Sequence, residues 1–133
     1  MADTTPRLSD YMTSAPTTIA TGTTIAEAAK LMSEQQIRHL PVVDSEGRPQ
    51  GLLSERDVAL LEGLDGLDAS AMTVSTAMSK RTYTAEPTTA IDEVARQMAE
   101  HKYGSCLAVK EGKVVGVFTT VDACRALSEA FGD

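Results

Sequence analysis

The sequence predicts a mixed α/β fold made of two copies of one unit, each ordered strand, helix, strand, strand, helix. Three observations lead to this prediction. A shift of 66 positions aligns Met12 with Met78 and Ile25 with Ile91, two segments have apolar residues at helical spacing, and short apolar runs separated by turns follow each of them. Because each half has too small a core to fold comfortably alone, the duplication sets the architecture.

Two short segments precede the first helix of each half. Residues 8–13 and 74–79 are predicted to form short helical turns, and the Thr- or Tyr-rich runs 17–20 and 81–84 are predicted to form short strands. Thr24 and Glu27 have the spacing of a capping box, so we expect the first helix to begin at Thr24. The apolar faces of the two helices are Ile25, Ala28, Ala29 and Met32, and Ile91, Val94, Ala95, Met98 and Ala99.

Two strands joined by a turn are predicted after each of these helices. Leu40–Val43 and Cys106–Val109 are continuous apolar runs of strand length, and Gly-containing turns follow them. The next runs, 51–53 and 114–118, are expected to return antiparallel. A second helix then closes each half. In the C-terminal helix the predicted buried stripe is Cys124, Leu127 and Phe131.

The predicted organisation is a flexible N-terminal tail at 1–7 followed by two repeats, at 8–66 and 67–133, with a Gly- and Asp-containing connection at 62–73. We expect the repeats to pack sheet to sheet about a pseudo-twofold axis, because this gives two small halves one larger core. The predicted fold class is therefore α/β, of the α+β kind, with two β-α-β-β-α repeats.

A repeated motif ends the third strand of each half. Gly51–Asp57 and Gly116–Asp122 both read Gly-x-x-Ser/Thr-x-x-Asp. The hydroxyl residue has the position of a helix N-cap and the Asp lies in the first helical turn, so each motif predicts a strand-to-helix corner. One interpretation is that the two corners are capping boxes and nothing else. The other is that free N–H groups and the helix dipole attract an anion there.

Composition excludes several functional classes. The net charge of −7 argues against a nucleic-acid surface. No apolar run approaches the length of a membrane span and the N-terminus does not resemble a secretory signal, so we expect no membrane association and a cytoplasmic location. Cys106 and Cys124 are expected to be buried thiols rather than a disulfide. Zinc-ligand spacing is absent, and no catalytic triad or P-loop occurs.

The doubled unit and its corners resemble a tandem pair of CBS domains, the repeat named after cystathionine beta-synthase. The resemblance runs from Leu8 to Leu127 and includes 38–44, Arg-His-Leu-Pro-Val-Val-Asp, and 12–16, Met-Thr-Ser-Ala-Pro. Such pairs, called Bateman modules, commonly bind AMP, ADP, ATP, S-adenosylmethionine or a dinucleotide such as NAD between their repeats, and regulate an attached or partner protein. The resemblance therefore implies a regulatory module that is not an enzyme and requires no cofactor.

The resemblance also implies roles for individual residues. The corner carboxylates Asp57 and Asp122 would bind ribose hydroxyls, and Ser54 and Thr119 would contact ribose or phosphate. Backbone groups after the first Pro, with their counterparts in the second half, would contact adenine. The complete set of expected ligand-binding residues is Thr17, Thr18, Ile19, Arg38, His39, Leu40, Pro41, Ser54, Arg56, Asp57, Thr82, Tyr83, Ser105, Thr119 and Asp122.

The two halves differ in charge beside the corners. Arg38, His39 and Arg56 are candidate cations in the first half, and an Arg can form two hydrogen bonds with a phosphate. Each can equally be an ordinary surface residue or a satisfied strand-edge group. In the second half Gly104 and Ser105 replace Arg38 and His39. We therefore expect two unequal sites, one for a charged nucleotide and the other for a less charged adenosine compound or no ligand.

Pro41 breaks a rule for strands, because proline has no backbone N–H to donate and usually lies at an edge or bulge. It is either an edge-protecting residue or part of the ligand site.

Two functions remain open, a stand-alone sensor of an adenosine compound that signals through an unidentified partner protein, and a ligand-free interaction module. In both, apolar helix surface around Met32, Leu61, Met98, Leu127 and Phe131 predicts a homodimer formed through helices.

Overall fold

The computed structural model describes residues 5–132, in which helices are separated by single strands or by pairs of consecutive strands. The elements are α1 (Leu8–Tyr11), β1 (Thr13–Ser14), β2 (Ile19–Ala20), α2 (Ile25–Gln35), β3 (His39–Val43), β4 (Pro49–Ser54), α3 (Glu55–Glu62), a 3-10 turn (Val74–Thr76), β5 (Thr84–Ala85), α4 (Ile91–His101), β6 (Ser105–Lys110), β7 (Lys113–Thr119) and α5 (Thr120–Phe131). The predicted mixed α/β fold is confirmed. None of the helices in this range has the length and apolar character needed to cross a membrane.

The chain forms two compact units. One is continuous and comprises 17–81, and we call it the continuous unit. The other combines the N-terminal segment up to Pro16 with the chain from Thr82 onward, and we call it the discontinuous unit. Each has its own sheet and its own buried cluster.

The continuous unit contains a three-stranded sheet in the order β2-β3-β4, with β2 parallel and β4 antiparallel to β3. Thr24 caps α2 as predicted, because its Oγ1 accepts a hydrogen bond from the N–H of Glu27 at 3.1 Å. Side chains from all three strands and from α2 and α3 then form one core. Its members are Ile19, Ile25, Ala28, Met32, Leu40, Val42, Leu53, Val58 and Val74.

The discontinuous unit contains a four-stranded sheet in the order β1-β7-β6-β5. The sequence did not predict β1, because Thr13 and Ser14 are polar, exposed and too few to show a period of two. The N-terminal segment is joined to the start of α4 by Ile91 N–H, which donates to the Pro6 carbonyl at 2.9 Å. Residues 1–4 of the predicted flexible tail lie outside the described residues. The core members are Leu8, Val94, Met98, Cys106, Ala108 and Phe118.

A close contact between a glycine and a methionine occurs in both units. A Cβ atom built on Gly51 would lie 2.7 Å from the sulfur of Met78, and one built on Gly116 would meet three atoms of Met12 within 3.0 Å. The leading segment of each sequence repeat thus lies against the third strand of the other repeat. The predicted repeats, 8–66 and 67–133, are continuous stretches of sequence and remain a prediction. The two compact units have different boundaries, because one of them combines both ends of the chain.

The predicted buried stripe of the C-terminal helix is wrong. Leu127 is 59% exposed, Phe131 is 83% exposed, and Cys124 is also exposed. α5 instead packs through Asp122, which is buried, and Ala123, which contacts the core cluster. Successive residues on a helix point about 100° apart, so neighbouring positions lie on different faces. In α5 the face with Asp122 and Ala123 packs inward, and the predicted apolar stripe faces solvent.

The glycine–methionine contact can be tested by substitution. Gly51→Ala should destabilise the protein by about 1–3 kcal/mol, because the added methyl group overpacks a site bounded by Met78 and the Ser79 carbonyl. Urea unfolding gives the free energy. Gly22→Ala is the matched control: a Cβ atom at Gly22 would point into open space, with no packing neighbour within 4 Å, so its stability should be unchanged or slightly raised. Equal destabilisation by both substitutions would contradict the packing argument.

Candidate functional site

The first corner joins β4 to α3 and is held by three hydrogen bonds between Ser54 and Asp57. The N–H of Asp57 donates to Ser54 Oγ at 3.1 Å, and the N–H and Oγ of Ser54 donate to Asp57 Oδ2 at 3.3 and 2.8 Å. The predicted cap is therefore confirmed. All three bonds leave Asp57 Oδ1 unused, and Asp57 is only half-buried. This carboxylate stabilises the corner and still has acceptor capacity.

His39 lies beside this corner. β3 and β4 pair so that His39 is opposite Ser54, and the N–H of Glu55 donates to the Arg38 carbonyl at 2.8 Å. Burial lowers the pKa of His39, while the negative charge of Asp57 acts in the opposite direction. Arg38 and Arg56 are exposed, and within residues 5–132 neither forms an ion pair. The first corner thus combines a partly free carboxylate, a half-buried imidazole and two unpaired guanidinium groups.

The second corner, between β7 and α5, is more fully satisfied internally. The N–H and Oγ1 of Thr119 donate to Asp122 Oδ2 at 3.0 and 3.3 Å. Arg125 donates to the other oxygen, Oδ1, at 3.2 Å. Asp122 is only 6% exposed. Both carboxylate oxygens are therefore engaged, and Ser105, opposite Thr119, takes the position that His39 has in the first half.

Pro41 lies in the middle strand of its sheet and is fully buried. The interpretation as an edge-protecting residue is therefore wrong. Its partner on β4 is Leu52, whose N–H and carbonyl both bond to Ser79 on the far side, so that pair needs no hydrogen bond from Pro41. On the other side, the pairing of β2 with β3 begins only at Ile19 opposite Val42.

The segment 17–19 divides between surface and core. Thr18 is exposed, whereas Ile19 belongs to the core and is 7% exposed, and Leu40 is fully buried. The side chains of Ile19 and Leu40, both members of the expected ligand-binding set, are therefore inside the protein. Thr17 is half-buried and its Oγ1 donates to Gln35 Oε1 at 2.6 Å.

A separate open groove of about 470 Å³ lies between β2 and α2. It is lined by Thr18, Ile19, Ala20, Thr23, Glu27, Lys30, Leu31 and Glu34. Only Thr18 and Ile19 belong to the expected ligand-binding set. The sequence did not point to this groove, because its charged lining is the ordinary polar face of an amphipathic helix.

In the second half, the segment equivalent to 17–19 contains Tyr83, whose ring is part of an aromatic cluster. Tyr83 stacks on Tyr103 with ring centroids 5.2 Å apart, and His101 contacts Tyr103 at 5.4 Å. The Tyr83 carbonyl accepts a hydrogen bond from the N–H of Leu107 at 2.8 Å. Burial raises the pKa of Tyr83. Thr82 is half-buried beside it. Among the predicted residues of this half, Thr119 and Asp122 bond to each other, whereas Tyr83 contacts Tyr103 and Leu107, which were not predicted.

The two thiols differ. Cys106 is buried as predicted, and burial raises its pKa to about 12. Cys124 is exposed on α5, so the prediction of burial is wrong for this residue. Among the residues that the structure describes, no group of three His, Cys, Asp or Glu side chains is arranged to hold a metal ion.

The family model described as "CBS domain" matches residues 8–61 and 74–129. The chain is 29% identical over 120 residues to "Hypoxic response protein 1" from Mycobacterium tuberculosis, covering 90% of this chain and 84% of that protein. It is also 34% identical over 124 residues to a homoserine O-acetyltransferase from Methanohalobium evestigatum, covering 92% of this chain but 24% of that enzyme.

A solved structure with a similar fold is the CBS domain pair of protein MJ0100 in complex with 5′-methylthioadenosine and S-adenosyl-L-methionine. The TM-score is 0.84 and the sequence identity is 26%, and the match covers 95% of this chain and 98% of that one.

The lowered pKa of His39 predicts a pH dependence of stability. As the pH falls below the ordinary His value of 6.5, the unfolded chain takes up a proton before the folded one, so stability is lost until the pH passes the lower folded pKa. His39→Gln removes this group. The variant should therefore lose less free energy of unfolding than the wild type between about pH 7 and pH 5. Urea titrations at both values measure the loss, and an equal loss in the two proteins would contradict it.

Proposed function

Because the chain belongs to the CBS domain family and contains two CBS domains in tandem, we propose that it is a regulatory module that binds an adenosine-containing ligand at the Asp57 corner. AMP, ADP, ATP, S-adenosylmethionine and NAD are the ligands considered. Binding would regulate a partner protein or an attached domain. Regulation of an attached domain is supported by the homoserine O-acetyltransferase, because this chain matches only 24% of that enzyme's length. The matching part of that enzyme is therefore joined to a larger protein.

The observation that carries the proposal is the difference between the two corner carboxylates. Asp57 is half-buried and keeps Oδ1 free of protein hydrogen bonds within residues 5–132, whereas Asp122 is buried with both oxygens engaged. A carboxylate oxygen with free lone pairs is suited to accept hydrogen bonds from the vicinal hydroxyls of a ribose. We therefore place the stronger site at the first corner.

The groups around Asp57 also suit a phosphate. In the first turn of α3 the N–H groups of Glu55 and Asp57 already bond to the Arg38 carbonyl and Ser54 Oγ, so the helix contributes mainly the positive end of its dipole. Arg38 and Arg56 are exposed near it, and a guanidinium group can bind a phosphate through two hydrogen bonds. The negative net charge of the whole chain does not oppose this, because the field at the corner is set by its nearest groups. A nucleotide should thus bind more tightly than the corresponding nucleoside.

The complex of the MJ0100 domain pair with two adenosine compounds supports the ligand class. We propose a regulatory rather than an enzymatic role, in the cytoplasm. The alternative of a ligand-free interaction module is favoured by a different observation, the exposed apolar residues on α5.

Calorimetry on nucleotide-free protein tests the proposal with AMP, ATP, NAD and S-adenosylmethionine. Asp57→Ala should weaken binding of the tightest of these about tenfold or more, because hydrogen bonds to a charged group contribute about 1.5–3 kcal/mol. Asp122→Ala is the matched control at the equivalent corner. It should change affinity little and lower stability by about 0.5–2 kcal/mol through loss of the cap. Absence of binding by all four compounds, or equal effects of the two substitutions, would overturn the proposal.

We also propose a homodimer formed through the outer helices. The buried Met32 and Met98 take no part, while Leu127 and Phe131 on α5 are exposed. Light scattering at low micromolar concentration should give twice the chain mass of 14.1 kDa. Leu127→Ser with Phe131→Ser should shift it to the monomer, whereas Leu67→Ser, at an exposed position outside the helices, should not. A monomeric wild type would contradict the dimer.

A further inference from the structure

Met78 and Met12 combine partial access from solvent with a close contact to a strand backbone. Both are half-buried, and each lies against the glycine that opens a corner motif. Met32 and Met98, by contrast, are inside the two cores and are only 4% and 6% exposed. A half-buried thioether can be reached by a small oxidant on one side while it packs on the other.

The Met78 side chain packs on the backbone of β4 without spare room. A Cβ atom built on Gly51 would lie 2.7 Å from the Met78 sulfur and 2.9 Å from its Cγ. Nonbonded carbon atoms prefer separations of about 3.5–4.0 Å. Only a glycine at position 51 therefore lets the thioether approach the strand this closely.

The segment that carries Met78 is also hydrogen-bonded to β4 beside the first corner. The N–H of Ser79 donates to the Leu52 carbonyl, and the N–H of Leu52 donates to the Ser79 carbonyl, both at 2.9 Å. Leu52 precedes Ser54 by two positions, and the N–H and Oγ of Ser54 donate to Asp57 Oδ2. One thioether contact and two hydrogen bonds thus hold the end of β4 from which the corner starts.

Met12 makes the same kind of contact in the discontinuous unit, but its segment is held more firmly. There the segment forms β1, a two-residue strand paired with β7. Beside Met78 the corresponding pairing is a single bridge between Leu52 and Ser79. Loss of the methionine packing should therefore release the segment more readily from β4 than from β7.

We propose that Met78 is an oxidant-sensitive switch, in which oxidation of its sulfur by a peroxide releases segment 78–79 from β4 and loosens the Asp57 corner, and reduction restores both. This inference rests on the proposed function and adds a regulation of that site.

The chemical step is the two-electron oxidation of a thioether to a sulfoxide. The Met78 sulfur attacks one oxygen of hydrogen peroxide, the O–O bond breaks and an S–O bond forms. The departing hydroxide takes the proton of the transferred oxygen and leaves as water. A methionine sulfoxide reductase reverses the oxidation with two thiols, which become a disulfide while the oxygen is released as water.

A sulfoxide at position 78 weakens the packing in either orientation of its oxygen. An oxygen that faces β4 meets the backbone at Gly51, where not even a methyl group fits. An oxygen that faces away puts a polar group in place of the apolar thioether, which packs against the core of the continuous unit. In both cases the two bonds between Leu52 and Ser79 lose the packing that supports them.

The test treats the wild type, Met78→Leu and Met72→Leu with hydrogen peroxide and locates the sulfoxides by peptide mass spectrometry. Calorimetry then measures binding of the tightest of AMP, ATP, NAD and S-adenosylmethionine. The wild type should lose affinity about tenfold once position 78 is oxidised, as expected for a displaced Asp57. Met78→Leu should keep its affinity, because leucine has a similar volume and no sulfur. Met72 is a half-buried methionine of the same unit, so Met72→Leu is the matched control and should lose affinity as the wild type does.

Amide hydrogen exchange on the wild type supplies a readout that needs neither a ligand nor a folded leucine variant. Oxidation should remove protection from the N–H groups of Leu52 and Ser79, and a methionine sulfoxide reductase should restore it. Unchanged protection in protein that carries the Met78 sulfoxide would overturn the inference. An equal loss of affinity in a folded Met78→Leu variant would overturn it too, as would a Met78 that stays reduced while Met72 is oxidised.

Failure of the proposed function gives a different result. Absence of binding by all four compounds before oxidation refutes the proposed function, and the exchange measurement still decides whether oxidation releases segment 78–79.

Discussion

Each corner depends on the hydrogen bonds between a hydroxyl residue that ends a strand and an Asp in the next helical turn. In the first half these bonds set where β4 ends and α3 begins, at Ser54, which strand pairing places opposite His39. Capping and ligand binding are therefore not exclusive interpretations of the motif. The cap uses one carboxylate oxygen. The other oxygen can accept a hydrogen bond from a ligand only where no protein group already donates to it.

The two halves differ in what contacts the second carboxylate oxygen, although their sequence motifs are the same. In the second half Arg125 takes the remaining oxygen of Asp122, and Leu107 donates to the Tyr83 carbonyl. In the first half the position equivalent to Arg125 is Leu60, which faces solvent, and the position equivalent to Leu107 is Pro41. Arg125 thus engages the second oxygen of Asp122, whereas within residues 5–132 the second oxygen of Asp57 has no protein hydrogen bond. The two halves share one framework and differ in how far the corner carboxylate is satisfied.

Much of the fold could be predicted from the sequence because its signals are local. Thr24 was predicted to cap α2, and the buried positions Ile25, Ala28 and Met32 follow the 3.6-residue period. The predictions that were wrong concern partners distant in sequence. Neither β1, which needs β7 beside it, nor the solvent-facing position of Leu127 and Phe131 can be derived from spacing alone. By contrast, the partner that distinguishes Asp122 from Asp57 is local: Arg125 lies three positions after Asp122 on α5 and bonds to its second oxygen.

The sequence by itself determined the duplication, the family resemblance, the two capped corners and the absence of an N–H at Pro41, since each depends on residue type and local spacing. The tertiary structure decided which glycine each methionine packs against, that Leu127 and Phe131 on α5 face solvent, and that Pro41 lies in the middle strand of its sheet. The physical reason is that hydrogen bonding and packing act between atoms brought together across the chain. A residue's chemistry is present in the sequence, but its availability depends on the neighbours that folding supplies.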